Sequence, residues 1–180
     1  VKDFAVKVNA SVGDMILIVA GDKSVVNQSL GEVRNVLGDK LNMKDPNKLN
    51  FAFITEFPLF QWSKERDHWE ATHHPFTAPV DASNFKDDPY NAKALHYDLV
   101  LNGVELGSGS KRIHEPKLQK EVLKKWGLSE VEISKRFGWF IEALSYGTPP
   151  HAGFAIGLDR LISTMIDAES IRDVIQFPKT

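Results

Sequence analysis

Asp98 and Glu105 flank Asn102-Gly103, the dipeptide of a tight type I′ hairpin turn. With that turn as the loop, Leu101 faces Val104, Val100 faces Glu105 and Asp98 faces Gly107. Side chains alternate across a strand, so Asp98, Val100 and Glu105 share one face. The two carboxylates are then diagonal neighbours, roughly 6–8 Å apart, a separation one divalent cation bridges. Mg²⁺ is commonly held in this way, by one or two carboxylates with phosphate oxygens and water completing the shell. On the hairpin alone, a solvated face carrying two charges is the more ordinary reading.

Arg112 adds a cation to the same stretch. By strict alternation it points away from Glu105. One β-bulge in Gly107-Ser108-Gly109 turns it onto the carboxylate face, and glycine is the residue that permits a bulge there. Without the bulge it is a surface arginine beyond a flexible loop. His73-His74 has no third histidine at a zinc-like spacing, and adjacent side chains diverge, so the pair is a contact for an anionic ligand or ordinary loop packing. Gly157-Leu158-Asp159-Arg160 falls where a strand turns into a helix. There glycine allows close backbone approach, the helix start offers free N–H groups and Arg160 can pair with a phosphate. A plain helix start is at least as good an account of that short string. Lys117, Lys120, Lys124 and Lys125 could touch RNA phosphates, but a solvated helix face explains them more simply.

Composition removes several classes. The 180 residues carry 22 Lys+Arg against 24 Asp+Glu, a net charge of −2 that excludes histone-like or basic-arm nucleic-acid binding while leaving room for a local patch. With no cysteine, there is no disulfide scaffold, thiolate zinc site or cysteine nucleophile. Neither a Gly-x-Ser-x-Gly elbow nor a Gly-x-x-x-x-Gly-Lys loop is present. No apolar run approaches the ~20 residues of a membrane span, and the start lacks a signal-peptide layout, so a cytoplasmic location is expected. The first residue is Val1, which fits a fragment, a processed product or a trimmed record.

The elements that must position these residues follow from pattern. Met15–Ala20, apolar and bounded by Gly13 and Gly21, reads as a buried strand. A helix capped by Ser24 carries Val26, Leu30, Val33, Leu37 and Leu41, and Pro46-Asn47 ends the pattern. Phe51–Phe57 reads as a second strand. Residues 62–94 hold no period, yet Trp62, Trp69, Phe76 and Phe85 favour an ordered, functional loop over a disordered insertion. The Leu95–Ile113 hairpin follows, then a helix from Pro116 to just before Gly127, carrying Leu118, Val122 and Leu123. The next helix has a capping box, Ser129 with Glu132, and a Leu128–Ile133 staple. Its apolar face is Ile133, Phe137, Phe140, Ile141 and Leu144. A last strand, Gly153–Gly157, runs into a final helix. The mixed order predicts an α+β fold around a largely antiparallel sheet.

Taken together, several strings resemble a known family. They are His73-His74-Pro75-Phe76-Thr77-Ala78-Pro79, Tyr97-Asp98, Asn102 to Ser110, Arg112-Ile113-His114, Tyr146 to Gly153, Gly157 to Arg160 and Ile171 to Lys179. From about Gly13 to Thr180 the sequence resembles the C-terminal half of the bacterial-type aspartyl-tRNA synthetases, class II enzymes. The resemblance implies a class II antiparallel sheet flanked by helices, here incomplete. Residues 1–20 would be the tail of an insertion domain with a connecting strand, and residues 21–180 the C-terminal part of the catalytic domain.

It also implies chemistry: aspartate attacks the α-phosphate of ATP to give aspartyl-adenylate, and the aspartyl group then passes to the tRNA 3′ end. Position by position, Glu105 would bind ATP and, with Asp98, its Mg²⁺. Arg112 would grip the side-chain carboxylate of L-aspartate with His73 nearby. Gly157, Leu158, Asp159 and Arg160 would form the third class II motif, with Arg160 on the γ-phosphate. Arg112, Glu105 and Arg160 are thus the expected catalytic groups. A guanidinium suits a carboxylate bidentately, and a metal with an arginine neutralises leaving pyrophosphate.

The family's anticodon-binding barrel, its dimer-forming first motif and its second motif, which carries the α-phosphate arginine, are not in this sequence. The expectation is therefore a segment of a ligase, inactive or nearly so by itself, whose complete form is a homodimer acting on tRNA. Two rivals stay open. One is an amide-forming asparagine synthetase relative, disfavoured by the His73–Pro79 loop and the insertion-domain remnant. The other is a non-catalytic paralogue that binds a nucleotide or a partner, disfavoured because Asp98, Glu105, Arg112 and Arg160 are all retained.

Overall fold

The computed structural model describes residues 2–45 and 47–179, with Lys2 and Asp3 described in backbone only. Pro46, expected to break a helix, and the terminal Val1 and Thr180 lie outside the described residues. The chain divides into two compact units, residues 1–48 and 49–180. The expected boundary at residues 20/21 is drawn against a larger protein and does not coincide with this division.

The first unit is helical. A short helix, α1 (Lys2–Lys7), precedes α2 (Lys23–Lys40). The α2 N-cap is Asp22 rather than Ser24, without a side-chain capping bond, and Leu41 is the C-cap. Val26, Val33 and Leu37 are half-buried, but Leu30 and Leu41 of the same expected face are exposed, and no α2 residue is fully buried. The expected strand at Met15–Ala20 is corrected: the run belongs to no helix or strand, with Met15 and Ile18 exposed. An apolar run becomes a strand only when a neighbour completes its backbone hydrogen bonds, and no other strand occurs among this unit's described residues.

The second unit is built on a four-stranded antiparallel sheet, ordered β1 (Phe51–Ile54), β4 (His96–Leu101), β5 (Val104–Lys111), β6 (Ala152–Ile156). Between β1 and β4 lies a second hairpin, β2 (Phe60–Ser63) with β3 (His68–Ala71), which begins just before the segment read as aperiodic and runs into it. Its four-residue strands are too short to register a period. Trp62 and Trp69 face each other across it in a T-shaped contact with centroids 5.4 Å apart. The rest of that segment is ordered, as its aromatics suggested. Phe85 is buried with Leu59, Phe60, Ala78, Ala94, Ile113 and Val122 in the main core, and Phe76 packs edge-on against Phe137 and Phe140.

The helices α3 (Pro116–Lys125) and α4 (Glu130–Ser145) follow the sequence closely. Proline at the first turn costs no hydrogen bond, and Gly127 ends α3 at φ +92°. Gly127 N donates to Lys124 O and Leu128 N to Leu123 O, the paired bonds of a Schellman stop. Ser129 and Glu132 form the capping box, and Leu128 packs with Leu123, Ile133 and Ile141 in a second small core. β6 enters α5 (Leu158–Met165) through Gly157, and a 3-10 turn, Ile171–Val174, follows. Of the α3 lysines, Lys124 pairs with Glu130 and Lys125 Nζ donates to Lys86 O at 2.8 Å, as befits a helix face held by local contacts.

Candidate active site

The β4–β5 ladder decides which side chains meet. At the turn, Asn102 has φ +50° and Gly103 φ +85°, the left-handed pair of a type I′ loop. Leu101 pairs with Val104 and Val100 with Glu105 as the turn dictates, but Leu99 then pairs with Gly107 and Asp98 with Ser108. Leu106 is the extra residue, so the bulge lies between Glu105 and Gly107 rather than within Gly107–Gly109. This corrects its position and the Asp98–Gly107 pairing. The expected consequence holds. Beyond the bulge, Ser108 and Ser110 pair onto the side of Asp98, Val100 and Glu105, and the alternation carries Arg112, the residue after the end of β5, to the same side.

Gly107 and Gly109 serve another purpose. A Cβ on Gly109 would lie 2.2 Å from Gly153 O and 2.6 Å from Tyr97 Cε2; one on Gly107 would lie 2.4 Å from Ala155 O and 3.0 Å from Phe154 Cζ. Tyr97 and Phe154 stack with ring centroids 6.2 Å apart on the side opposite Asp98, and Tyr97 Oη donates to Gly153 O at 3.0 Å. The glycines let two rings cross β5. On the Asp98 side, β6 presents Gly153 and Ala155 opposite Ser110 and Ser108, a floor of small residues with room above it.

Arg112 is half-buried and its backbone is held on both sides. It bridges to Thr77, and its N–H donates to His151 O at 2.9 Å. Its Nη1 lies against the His74 ring, 3.1 Å from Nδ1 and in contact with Nε2. Phe76 N donates to His74 Nδ1 at 3.2 Å. Partial burial first, and the Arg112 guanidinium second, push the His74 pKa down to about 4, so the ring is neutral near pH 7 and does not repel the arginine. The loop carrying His73 and His74 is fixed from below by Gln119, fully buried on α3, whose Nε2 donates to Pro75 O at 2.7 Å.

The histidine touching Arg112 is thus His74. His73, the one expected beside it, stacks on His96 instead, with centroids 3.7 Å apart, and Phe57 meets both rings edge-on at 5.0 Å. Desolvation and the neighbouring His96 lower the His73 pKa, while the Asp98 and Glu105 carboxylates oppose the shift. His96 Nε2 donates to Asp98 Oδ1 at 3.0 Å. His96 and Gln119 were not singled out from sequence, and His74 only as half of the His73-His74 pair. The alternation that put Asp98 on the face also puts His96 there, two residues earlier.

Glu105 and Arg160 form the other end. Arg160 Nη1 donates to Glu105 O at 2.6 Å and lies 3.8 Å from Glu105 Oε2. Gly157 N donates to Leu106 O at 2.8 Å, joining the strand-to-helix turn to the bulge. Glu105, Ser108, Ala155, Gly157, Asp159 and Arg160 line an open cleft of about 340 Å³. Of the expected nucleotide contacts, Glu105, Gly157, Asp159 and Arg160 meet here, whereas Leu158 does not line the cleft.

The donor set bears on Mg²⁺. No group of three or more His, Asp or Glu side chains that could hold a metal by themselves occurs among the described residues. Asp98 and Glu105 share a face above the small-residue floor, which suits a hard cation that takes one or two protein carboxylates and its remaining oxygens from phosphate and water. The residues fit Mg²⁺ in that form.

The family model for class II tRNA synthetases (D, K and N) matches residues 10–180. The chain belongs to this family. Among curated relatives, this synthetase chain is 50% identical over 172 residues to an aspartate–tRNA(Asp/Asn) ligase of Prochlorococcus marinus (strain AS9601), covering 93% of the chain and 29% of the relative. It is 49% identical over 174 residues to an aspartate–tRNA ligase of Clostridium beijerinckii, covering 95% of the chain and 29% of that protein. Among solved structures, the aspartyl-tRNA synthetase of Entamoeba histolytica superposes with a TM-score of 0.55 at 25% identity, over 98% of this chain and 30% of that one. The chain therefore spans less than a third of the length of these relatives, and its sheet and helices are part of a class II synthetase fold. No helix among the described residues is long and apolar enough to cross a membrane.

Proposed function

We propose that this chain supplies the aspartate- and ATP-binding sheet face of an aspartate–tRNA ligase. The observation that carries the reading is the common face of Asp98, Glu105 and Arg112, created by the single extra residue Leu106. The names of the similar ligases support it. Residues 1–20 are assigned to the tail of an insertion domain with a connecting segment and residues 21–180 to the C-terminal part of the catalytic domain. The complete enzyme is read as a cytoplasmic homodimer that joins L-aspartate to tRNA.

In this reading Arg112, steadied by neutral His74, takes the side-chain carboxylate of aspartate bidentately. His73 faces the same region from its stack on His96. The floor of Gly153 and Ala155 admits the nucleotide, with Glu105 and the Gly157–Arg160 turn at its phosphate end. Arg160 exchanges its weak contact with the Glu105 carboxylate for the γ-phosphate, keeping the 2.6 Å bond to Glu105 O as a hinge. Asp98 and Glu105 would hold Mg²⁺, which when bound supplies charge neutralisation on the phosphates.

The oriented aspartate α-carboxylate attacks the α-phosphorus, and the bond to pyrophosphate breaks. A tRNA 3′-terminal hydroxyl then attacks the acyl carbon and AMP leaves. Placing both reactants on one rigid sheet is the main contribution these residues make.

Aspartate-dependent ATP–pyrophosphate exchange by the complete ligase tests the proposal. Exchange that is specific for aspartate and lost in Arg112→Ala is expected. Exchange unchanged in that variant would overturn the role of Arg112, and exchange with asparagine in place of aspartate would overturn the substrate.

A further inference from the structure

We infer that His96 is a positioning residue with two separable tasks: its Nε2–H orients the Asp98 carboxylate, and its ring face orients His73. The inference rests on the ligase reading above and gives a role to a side chain that enters that reading only as the ring beneath His73.

His96 is among the few polar residues buried in this unit, with its side chain 5% exposed beside an Asp98 side chain at 15%. Its Nε2 lies 3.0 Å from Asp98 Oδ1. A carboxylate only accepts, so the proton of this bond sits on Nε2 and one of the four lone-pair sites of Asp98 is fixed in direction. The second carboxylate oxygen has no such bond to His96, which leaves it for a ligand. His96 Nδ1 is buried and has no hydrogen-bond partner among the described residues. Ser110 lies directly across the ladder, fully buried, and its Oγ is unpartnered too. Opposed Cβ atoms in a ladder are close enough for a hydroxyl to rotate onto Nδ1, a bond that would hold the Nε2–H tautomer.

The same ring is sandwiched. His73 lies parallel to it at 3.7 Å, tilted by 15°, and Phe57 closes the edge. His73 sits on an irregular loop rather than a strand, so its stack on His96, together with the edge contact to Phe57, sets the plane of its ring. Buried Ser110 cannot meet a substrate, so the Ser110, His96, Asp98 sequence is a structural relay and not a nucleophilic triad.

Two variants separate the tasks. In His96→Gln the amide N–H falls where Nε2–H was, but the aromatic face is gone; in His96→Phe the face remains and the donor is lost. The complete ligase and both variants would be titrated calorimetrically, with Mg²⁺ in the presence of a non-hydrolysable ATP analogue and separately with L-aspartate. Thermal melting serves as the fold control.

His96→Phe is expected to weaken Mg²⁺ binding about tenfold, the worth of one charge-assisted hydrogen bond, while holding aspartate affinity within about twofold. His96→Gln is expected to do the reverse. Folded variants that weaken both ligands alike, or neither, would overturn the assignment to His96. Wild-type ligase that binds neither Mg²⁺–nucleotide nor aspartate would overturn the ligase reading and this inference with it.

Discussion

Arg160 reaches from the first turn of α5 to the backbone of Glu105 and donates to its carbonyl at 2.6 Å, while the carboxylate of the same glutamate stays 3.8 Å away. The strong bond is to the main chain and the weak one to the side chain. A ligand can therefore capture the guanidinium's outer edge without dislodging the arginine. Arg160→Ala in the complete ligase should raise the KM for ATP about tenfold or more while moving the KM for aspartate little, as measured by pyrophosphate exchange. Equal shifts in both constants would show that the residue supports the sheet rather than the nucleotide.

Arg112 poses a sharper test, because lysine keeps its charge but not its planar fork. Arg112→Lys and Arg112→Ala should both reduce aspartate-dependent exchange by about a hundredfold or more, since both lose bidentate recognition. A lysine variant close to wild type would mean that charge alone suffices.

The neutral His74 gives a pH signature. Its pKa falls from an ordinary value of about 6.5 in the unfolded chain to about 4 in the fold. Between those values the unfolded state binds more protons, so protonation favours unfolding. The contribution is fully present above about pH 6.5 and declines as pH falls toward 4. Chemical denaturation across that window should show a shallower loss of stability in His74→Gln than in wild type. Parallel curves would count against a depressed pKa.

Gly109 and Gly153 face each other's strands but differ in what a methyl group would meet. Gly109→Ala drives a Cβ into Gly153 O and the Tyr97 ring, whereas a Cβ at Gly153 meets nothing within 4 Å. Denaturant unfolding should show the first variant destabilised by about 1–3 kcal/mol or more and the second little changed. The capping box offers a calibrating case: Ser129→Ala removes the acceptor for Glu132 N and should cost about 1 kcal/mol.

What could be read from sequence depended on how locally each feature is determined. The Asn102-Gly103 turn fixes register by its own dihedrals, so pairing was legible as far as Glu105. Pro116, Gly127, Ser129 and Glu132 act within one helical turn of themselves, and both helices came out as expected. The bulge was legible in kind but displaced, because Gly107 and Gly109 advertised flexibility when their task was to clear space for Tyr97 and Phe154, residues distant in sequence. Met15–Ala20 had the composition of a strand, but composition does not supply a pairing partner. The same distance problem hid the His74–Arg112 contact, made between residues 38 positions apart, and the Gln119–Pro75 anchor, made across 44.

The site is, in the end, addressed by parity. One surplus residue, Leu106, converts an odd count into an even one, and by that count alone Arg112 joins the two carboxylates rather than the aromatic rings beneath them. Exchanging side chains between Val104 and Arg112 changes how well the site works; adding or removing a single residue there changes which side of the sheet it is on. Deleting Leu106 would preserve every functional group and dismantle the constellation, sending Arg112 to the far side while Glu105 stayed. The chemistry is stored as much in the length of one strand as in the identity of its residues.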